Sequence, residues 1–272
     1  MKISFSDIFK NKTLLCFLLV LALAFGLRLA RSIIDDNMDK DSVAYLWMAE
    51  AAAAGDINGA VAYNVRMPPL YIFLMAAGEY LGIGAYNAGM AVSVIAGTLL
   101  LIPVFFITRT LFNGKIAVFA SIIVATHPYL VRISAEIMRD SLFLFLIFAG
   151  LAFALRAAKG GGVLLWCLPG IFAGLAVMTR TEGIDLVCTI IIWFAVELYV
   201  AFRNKSAMNA MKRVSSSAFC LLTGFLLVTL PVQLSLSETS STWGPVDYRI
   251  MSFAHGFTQL TTREVLKKVE KH

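Results

Sequence analysis

The feature that most constrains this chain is a succession of apolar runs, each long enough to cross a bilayer as a helix, which takes about 20 residues. Seven such runs lie near 13–32, 88–108, 116–133, 141–157, 163–180, 184–202 and 214–236. Hydrocarbon offers an open strand no partners for its backbone N–H and C=O groups, so each run is predicted as helix. Composition agrees. Of 272 residues, 59% are hydrophobic and 15% are charged, with a mean hydropathy of +0.80; a soluble domain carries about 25% charged residues. The predicted fold class is all-α, a polytopic membrane helical bundle of about seven transmembrane helices. The first run, Leu14 to Ile33, is too long for a signal-peptide core and lacks a small-residue cleavage site, so it is read as a retained span.

The net charge of +6 does not point to nucleic acid, because the bases sit in short clusters between apolar runs, as in loops facing anionic lipid. Cys16, Cys167, Cys188 and Cys220 lie inside apolar runs without metal spacing, and read as packing residues rather than a disulfide framework.

A further run, "PPLYIFLMAAGEYLGIG", is ambiguous. It is short, starts with Pro68-Pro69 and contains Glu79; a carboxylate at the bilayer centre costs at least about 2.5 kcal/mol on insertion scales. Loop charge decides. If this run does not span and the N-terminus is cytoplasmic, the inner segments carry eleven Lys and Arg against Asp7 alone. If it spans, every later loop changes side and eight of those bases move out. The positive-inside rule favours the first arrangement. The run is then an interfacial or re-entrant helix on the extracytoplasmic (periplasmic) face, where prolines at a helix start lose no intrahelical bond.

The predicted organisation is one membrane module over 1–236, with an acidic outer loop at 33–87 that holds amphipathic surface helices, and an outer tail over 237–272. "DSVAYLWMAEAAAAGD" reads as a surface helix capped by Asp41 or Ser42 and ended by Gly55. Two more outer turns carry Arg132, Glu136, Arg139 and Asp140, and Arg180, Glu182 and Asp185. Function is therefore expected on the outer face, where three charged loops converge.

Asp39 and Asp41 form D-x-D at the start of the surface helix. Two close carboxylates can hold a divalent cation, one can act as general base, or the pair can be a solvated acidic loop. Arg180, in "GLAVMTRTEG", can hold a phosphate through charged hydrogen bonds or anchor the interface. Arg66 and Arg139 are alternative phosphate partners. Glu136 and Asp140 lie four apart and would share a helix face if their turn is helical, completing a metal site or orienting a substrate. His127, in "ATHPYL", reads as a packed polar residue before a ligand. The chain has no phosphate loop, no G-x-S-x-G, no H-E-x-x-H and no basic–aromatic nucleic-acid patch.

The order of elements carries a resemblance. A first span leads to Asp41 and Tyr45 in D-x-x-x-Y, then to Gly55-Asp56, "PPLY", "RTLFNGK", "HPYLVRISAEIMRDSLFLF" and "GLAVMTRTEG". Over roughly residues 10–200 this resembles the multi-span C-fold (GT-C) glycosyltransferases, closest to the group of protein O-mannosyltransferases and bacterial lipid A aminoarabinose transferases. The resemblance implies a sugar carried on polyprenyl phosphate and moved, with inversion, to a lipid, glycan or protein acceptor on the outer face. It implies Asp41 as base or acceptor-orienting group with Asp39 beside it, and Arg180 with Arg66 around the lipid phosphate. It places Glu136, Arg139 and Asp140 in the second acidic loop and Tyr45 and Glu182 at the substrate. It implies no certain cofactor; a divalent metal is compatible. Ser42 stands where family members usually carry a second acid, and Met67 intervenes before the proline pair. Relatives are mostly longer, so a minimal module, half of a complex with a partner subunit, or a truncated copy are all open. From other classes, a transporter or lipid flippase would need charged or broken helices in mid-membrane.

Overall fold

The computed structural model describes residues 12–34, 38, 40–57, 59–60, 67–204 and 207–237. Asp39 and Arg66 lie outside the described residues, as do the 238–272 tail and Asp35 and Asp36. Among the described residues there is no strand. The helices are α1 (Lys12–Ile34), α2 (Lys40–Ala53), α3 (Pro69–Tyr80), α4 (Ala85–Leu99), α5 (Leu101–Leu111), α6 (Gly114–Thr126), α7 (Pro128–Ser134), α8 (Asp140–Arg156), α9 (Cys167–Val177), α10 (Ile184–Arg203) and α11 (Ala207–Ser237).

Among the described residues, five stretches are long and apolar enough to cross a membrane: α1, α4 with α5 as Ala85–Leu111, Asp140–Gly161, Thr181–Arg203 and Ala207–Leu234. A sixth crossing is α6 with α7, if that bent pair is one span. The expected seventh, 163–180, is shorter than its apolarity suggests. A tight turn, Val163–Trp166, leads into α9, and the apolar helix ends at Val177. Over 163–177 it rises about 22 Å at 1.5 Å per residue, less than a hydrocarbon core of about 30 Å, yet it leads from the end of the bundle where Lys159 Nζ donates to the Thr110 carbonyl back to the end where Arg180 meets Asp140. Glycines hold it against α11. A Cβ at Gly170 would overlap the Leu221 carbonyl oxygen of α11, and a Cβ at Gly224 would overlap the Cys167 carbonyl oxygen. This backbone-on-backbone contact is the small-residue packing that joins helices in lipid.

The ambiguous "PPLY" run forms α3, 12 residues long and not among the spanning stretches. Pro68 and Pro69 start it as expected. Glu79 lies near its end, and its carboxylate accepts the Ala85 N–H at 2.5 Å, where Gly84 has no side chain to cap α4. The carboxylate thus lies at the positive end of a helix. The surface helix α2 begins at Lys40, so Asp41 and Ser42 lie in its first turn rather than capping it. Gly55, at φ 90°, ends the turn after it, as predicted. The outward side of α2 carries Val43 and Trp47 beside Asp41 and Glu50, so its apolar residues are not confined to one face. All four cysteines are free, as expected, though Cys16 and Cys188 are exposed rather than packed.

The third span departs most from a straight rod. At His127-Pro128 the axis turns by 60°. Proline disfavours helical backbone in the residue before it, and His127 is extended, at φ −62° and ψ 119°. The continuation α7 bends towards the end of the bundle where α2 and α3 lie. His127 itself is exposed at the bend.

Candidate functional site

At that end of the bundle a cavity of about 320 Å³ is lined by Asp41, Tyr45, Tyr129, Arg132, Ile133, Glu136, Met138, Arg139, Asp140 and Arg180. Four elements supply its charges: the first turn of α2, the bent α7, the irregular 135–139 segment with the start of α8, and the chain after α9. Six of the nine expected site residues meet here: Asp41, Tyr45, Glu136, Arg139, Asp140 and Arg180. Glu182 stands behind Arg180, its carboxylate 3.5 Å from the Arg180 Nε.

The 135–139 segment is not helical, so Glu136 and Asp140 do not share a helix face; they reach one cavity from the two sides of a break. Backbone polar groups buried outside regular structure must find partners; two serines provide them for this segment, and a third does so for the last turn of α7. Ser42 donates to the Ile137 carbonyl at 3.2 Å, Ser93 to the Met138 carbonyl at 3.1 Å, and Ser141 to the Ile133 carbonyl at 3.0 Å. Ser42, the residue in place of a second acid, is thus a buried strut between α2 and this segment. On the opposite wall, the Met178 carbonyl accepts the Leu70 N–H at 2.9 Å, tying α3 to the chain that leads to Arg180.

The cavity contains three arginines and three carboxylates, and two ion pairs form among them. Arg180 Nη1 donates to Asp140 Oδ1, and the Arg180 guanidinium lies 5.6 Å from the Phe143 ring centroid. Arg132 Nε donates to Glu136 Oε1 at 2.8 Å. The remaining two groups are Asp41, which has no ion pair or hydrogen bond among the described residues, and Arg139, whose buried Nη1 has no hydrogen-bond partner. Beneath them Tyr45 meets Tyr71 edge-on, with ring centroids 5.3 Å apart. Tyr71 OH donates to the Gly89 carbonyl at 3.0 Å and lies 2.9 Å from Ser93 Oγ. Burial first, and then the carboxylates of Asp41 and Asp140, push the Tyr45 phenol up to about 12, while Arg139 and Arg180 pull the other way.

Tyr129, Arg132, Ile133 and Met138 are the wall residues that sequence reasoning did not assign to the site. Arg132 had a legible signal, its i,i+4 spacing to Glu136. Tyr129 had none beyond an aromatic after the proline of "HPYL". Among the described residues no three His, Cys, Asp or Glu side chains gather as a metal group, and the D-x-D pair cannot be placed without Asp39.

These observations define a multi-pass helical membrane protein with a charged cavity at one end of its bundle. Residues 66–233, more than half of the chain, match the family described as dolichyl-phosphate-mannose-protein mannosyltransferase, and the chain belongs to that family. The family is one of membrane glycosyltransferases that use a lipid-linked sugar donor. The match includes Arg139, Asp140, Arg180 and Glu182 and begins at Arg66; α2, with Asp41 and Tyr45, precedes it. No curated protein matches the chain.

Proposed function

We propose that this chain moves a sugar from a polyprenyl-phosphate donor to an acceptor hydroxyl or amine in the α2/α7/α8 cavity, on the extracytoplasmic face, with inversion at the anomeric carbon. The observation that carries the reading is the pair left over in the cavity, a carboxylate at Asp41 and a cation at Arg139. Asp41 takes the proton of the acceptor as its oxygen or nitrogen bonds to the anomeric carbon. The bond from that carbon to the phosphate oxygen breaks, its electron pair leaves with polyprenyl phosphate, and the charge that develops there is met by Arg139. Arg180 already faces Asp140 and Glu182 and forms the second cationic wall, with Arg66 a further candidate from outside the described residues.

Charge distribution supports the orientation. Arg109, Lys115, Arg156, Lys159, Arg203 and Arg213 all lie near helix ends away from the cavity, as the positive-inside rule requires of a cytoplasmic side. Acceptor identity, sugar identity, a divalent metal at D-x-D and a partner subunit are parts of the same reading for solution work.

The test is turnover. Purified protein supplied with polyprenyl-phosphate sugars, mannose first, should release polyprenyl phosphate. Asp41→Asn should lower the rate by about 10²–10⁴, the usual contribution of a general base. Equal behaviour of the two proteins with every donor would overturn the assignment. Transport of solute into liposomes, insensitive to Asp41→Asn, would favour the transporter reading.

A further inference from the structure

Arg28 lies within α1 and is fully buried, the largest side chain so buried among the described residues. A charge inside a span is costly, by roughly 2.5–3.5 kcal/mol on insertion scales at a helix centre, and such residues face the bundle interior and pair with an opposite charge or with backbone carbonyls. Arg28 faces carbonyls. Its Nη2 donates to the Val124 carbonyl at 3.2 Å, and its Nη1 donates to the Ala125 carbonyl at 3.2 Å and to the Ala24 carbonyl of its own helix at 3.1 Å.

The identity of those carbonyls is informative. In a continuous helix the Val124 carbonyl would accept the N–H four residues on. That residue is Pro128, which has none. The Ala125 carbonyl would accept from Tyr129, which the 60° bend has carried away with α7. Arg28 supplies from another helix the donors that the bend removes, and it puts a positive charge at the C-terminal end of the α6 dipole. Space for this is cleared by Gly97, where a Cβ would stand 3.1 Å from Arg28 Nε and overlap Ser134 Oγ. Ser134 in turn donates to the Leu130 carbonyl at 2.6 Å, and its Oγ lies 3.1 Å from Ser141 Oγ. Polar groups of α7 and α8 thus pack beside Arg28 in the space that Gly97 leaves, while Arg28 Nε itself has no hydrogen-bond partner among the described residues.

We infer that Arg28 is a positioning residue: by capping α6 at the Pro128 break it fixes the bend that sets Tyr129, Arg132 and Ile133 on the cavity wall. It touches no reacting group and acts only through α7. The backbone part of this inference stands without the transferase reading; only its binding readout rests on that reading.

The experiment compares wild type, Arg28→Met, Arg28→Lys and the double variant Arg28→Met/Pro128→Ala, as full chains in detergent. Hydrogen exchange reports the α7 amides, and titration with polyprenyl phosphate reports the cavity. Arg28→Met should lose α7 protection while α8 to α11 keep theirs, and should bind polyprenyl phosphate more weakly, by about two- to tenfold, the worth of one hydrogen bond. Arg28→Lys should recover part of both. In the double variant the alanine that replaces Pro128 returns an N–H to the Val124 carbonyl, so α6 and α7 should regain protection without regaining binding. If Arg28→Met does not fold, the double variant decides, since restoring the missing N–H should restore the fold. Wild-type protection in Arg28→Met, or a double variant no better protected than the single one, overturns the inference. Correct exchange behaviour with no polyprenyl-phosphate binding in any protein, wild type included, would fault the transferase reading and leave the Arg28 assignment standing.

Discussion

Arg180 and Asp140, 40 residues apart in the chain, close on each other at the wall of the charged cavity, with their side chains 30% and 21% exposed. The pairing divides the arginines into two kinds. Arg180 is held by Asp140, by Glu182 and by the face of Phe143, whereas Arg139 has no ion pair among the described residues; each keeps one buried nitrogen, Arg180 Nε and Arg139 Nη1, without a hydrogen-bond partner. An incoming phosphate gains most from the cation that no described carboxylate neutralises.

Arg139→Gln should therefore weaken polyprenyl-phosphate binding roughly ten- to a hundredfold, the value of a charged hydrogen bond at about 1.5–3 kcal/mol, with little change in thermal stability. Arg180→Gln should do the reverse: a smaller binding loss and a lower melting temperature, because Asp140 is left without its partner. Asp140→Asn added to Arg180→Gln should return part of that stability. Titration calorimetry and thermal unfolding in detergent separate the two, and a larger binding loss in Arg180→Gln than in Arg139→Gln would reverse the assignment.

The buried tyrosines predict a pH dependence. The Tyr45 phenol is raised from 10.0 to about 12, and Tyr71, buried more deeply and bonded to Ser93, is also raised. Between those values the unfolded phenol has lost its proton and the folded one keeps it, so the unfolded state binds fewer protons and stability falls as pH rises. The contribution is complete below pH 10 and is lost on approaching pH 12. Melting temperature in detergent should drop steeply over that interval, and Tyr45→Phe should make the drop shallower. An equally steep drop in Tyr45→Phe would mean that other groups govern it.

Glu79 offers a test of the short α3. Were this helix a span, Glu79→Ala would remove a carboxylate from hydrocarbon and stabilise the protein. Because Glu79 instead accepts the Ala85 N–H at the start of α4, Glu79→Ala should destabilise by about 0.5–2 kcal/mol, as lost caps do. Glu79→Gln, which keeps an acceptor oxygen, should retain most of the stability. Thermal unfolding gives the sign directly.

These sites also show how far the sequence could be read. Span ends were legible because charges mark them: Asp140 and Arg156 bound α8, and Asp185 and Arg203 lie in the first and last turns of α10. The gathering of Asp41, Glu136, Arg139, Asp140 and Arg180 followed from placing three loops on one side of the bundle. Pairing was not legible, because which arginine is neutralised depends on contacts across 40 residues. Nor was the shape of 135–139, which is held by serines from α2 and α4 rather than by local propensity. Arg28 was missed because one arginine late in an apolar run looks like an end charge; only the missing N–H of Pro128 explains it. The 163–180 run was legible as apolar, but the tight turn at Val163–Trp166 that opens it was not, since hydropathy counts apolar residues and not their geometry.

The glycine seam between α9 and α11 gives the last prediction. Gly170 has the Leu221 carbonyl in the position its Cβ would take, with the Phe225 N 2.9 Å away, so neither obstacle is a side chain that can swing aside. Gly170→Val should force the helices apart and cost about 1–3 kcal/mol or more, as overpacking does. Because the chain leaving α9 carries Arg180, that separation should also loosen the Arg180–Asp140 pair. Gly26 is the matched control, a glycine inside α1 with nothing within 4 Å of its Cβ position. Gly26→Ala should be neutral or stabilise by up to about 1 kcal/mol, from reduced backbone entropy in the unfolded chain. If thermal unfolding ranks Gly26→Ala as the more damaging of the two, α9 is held by something other than its glycines.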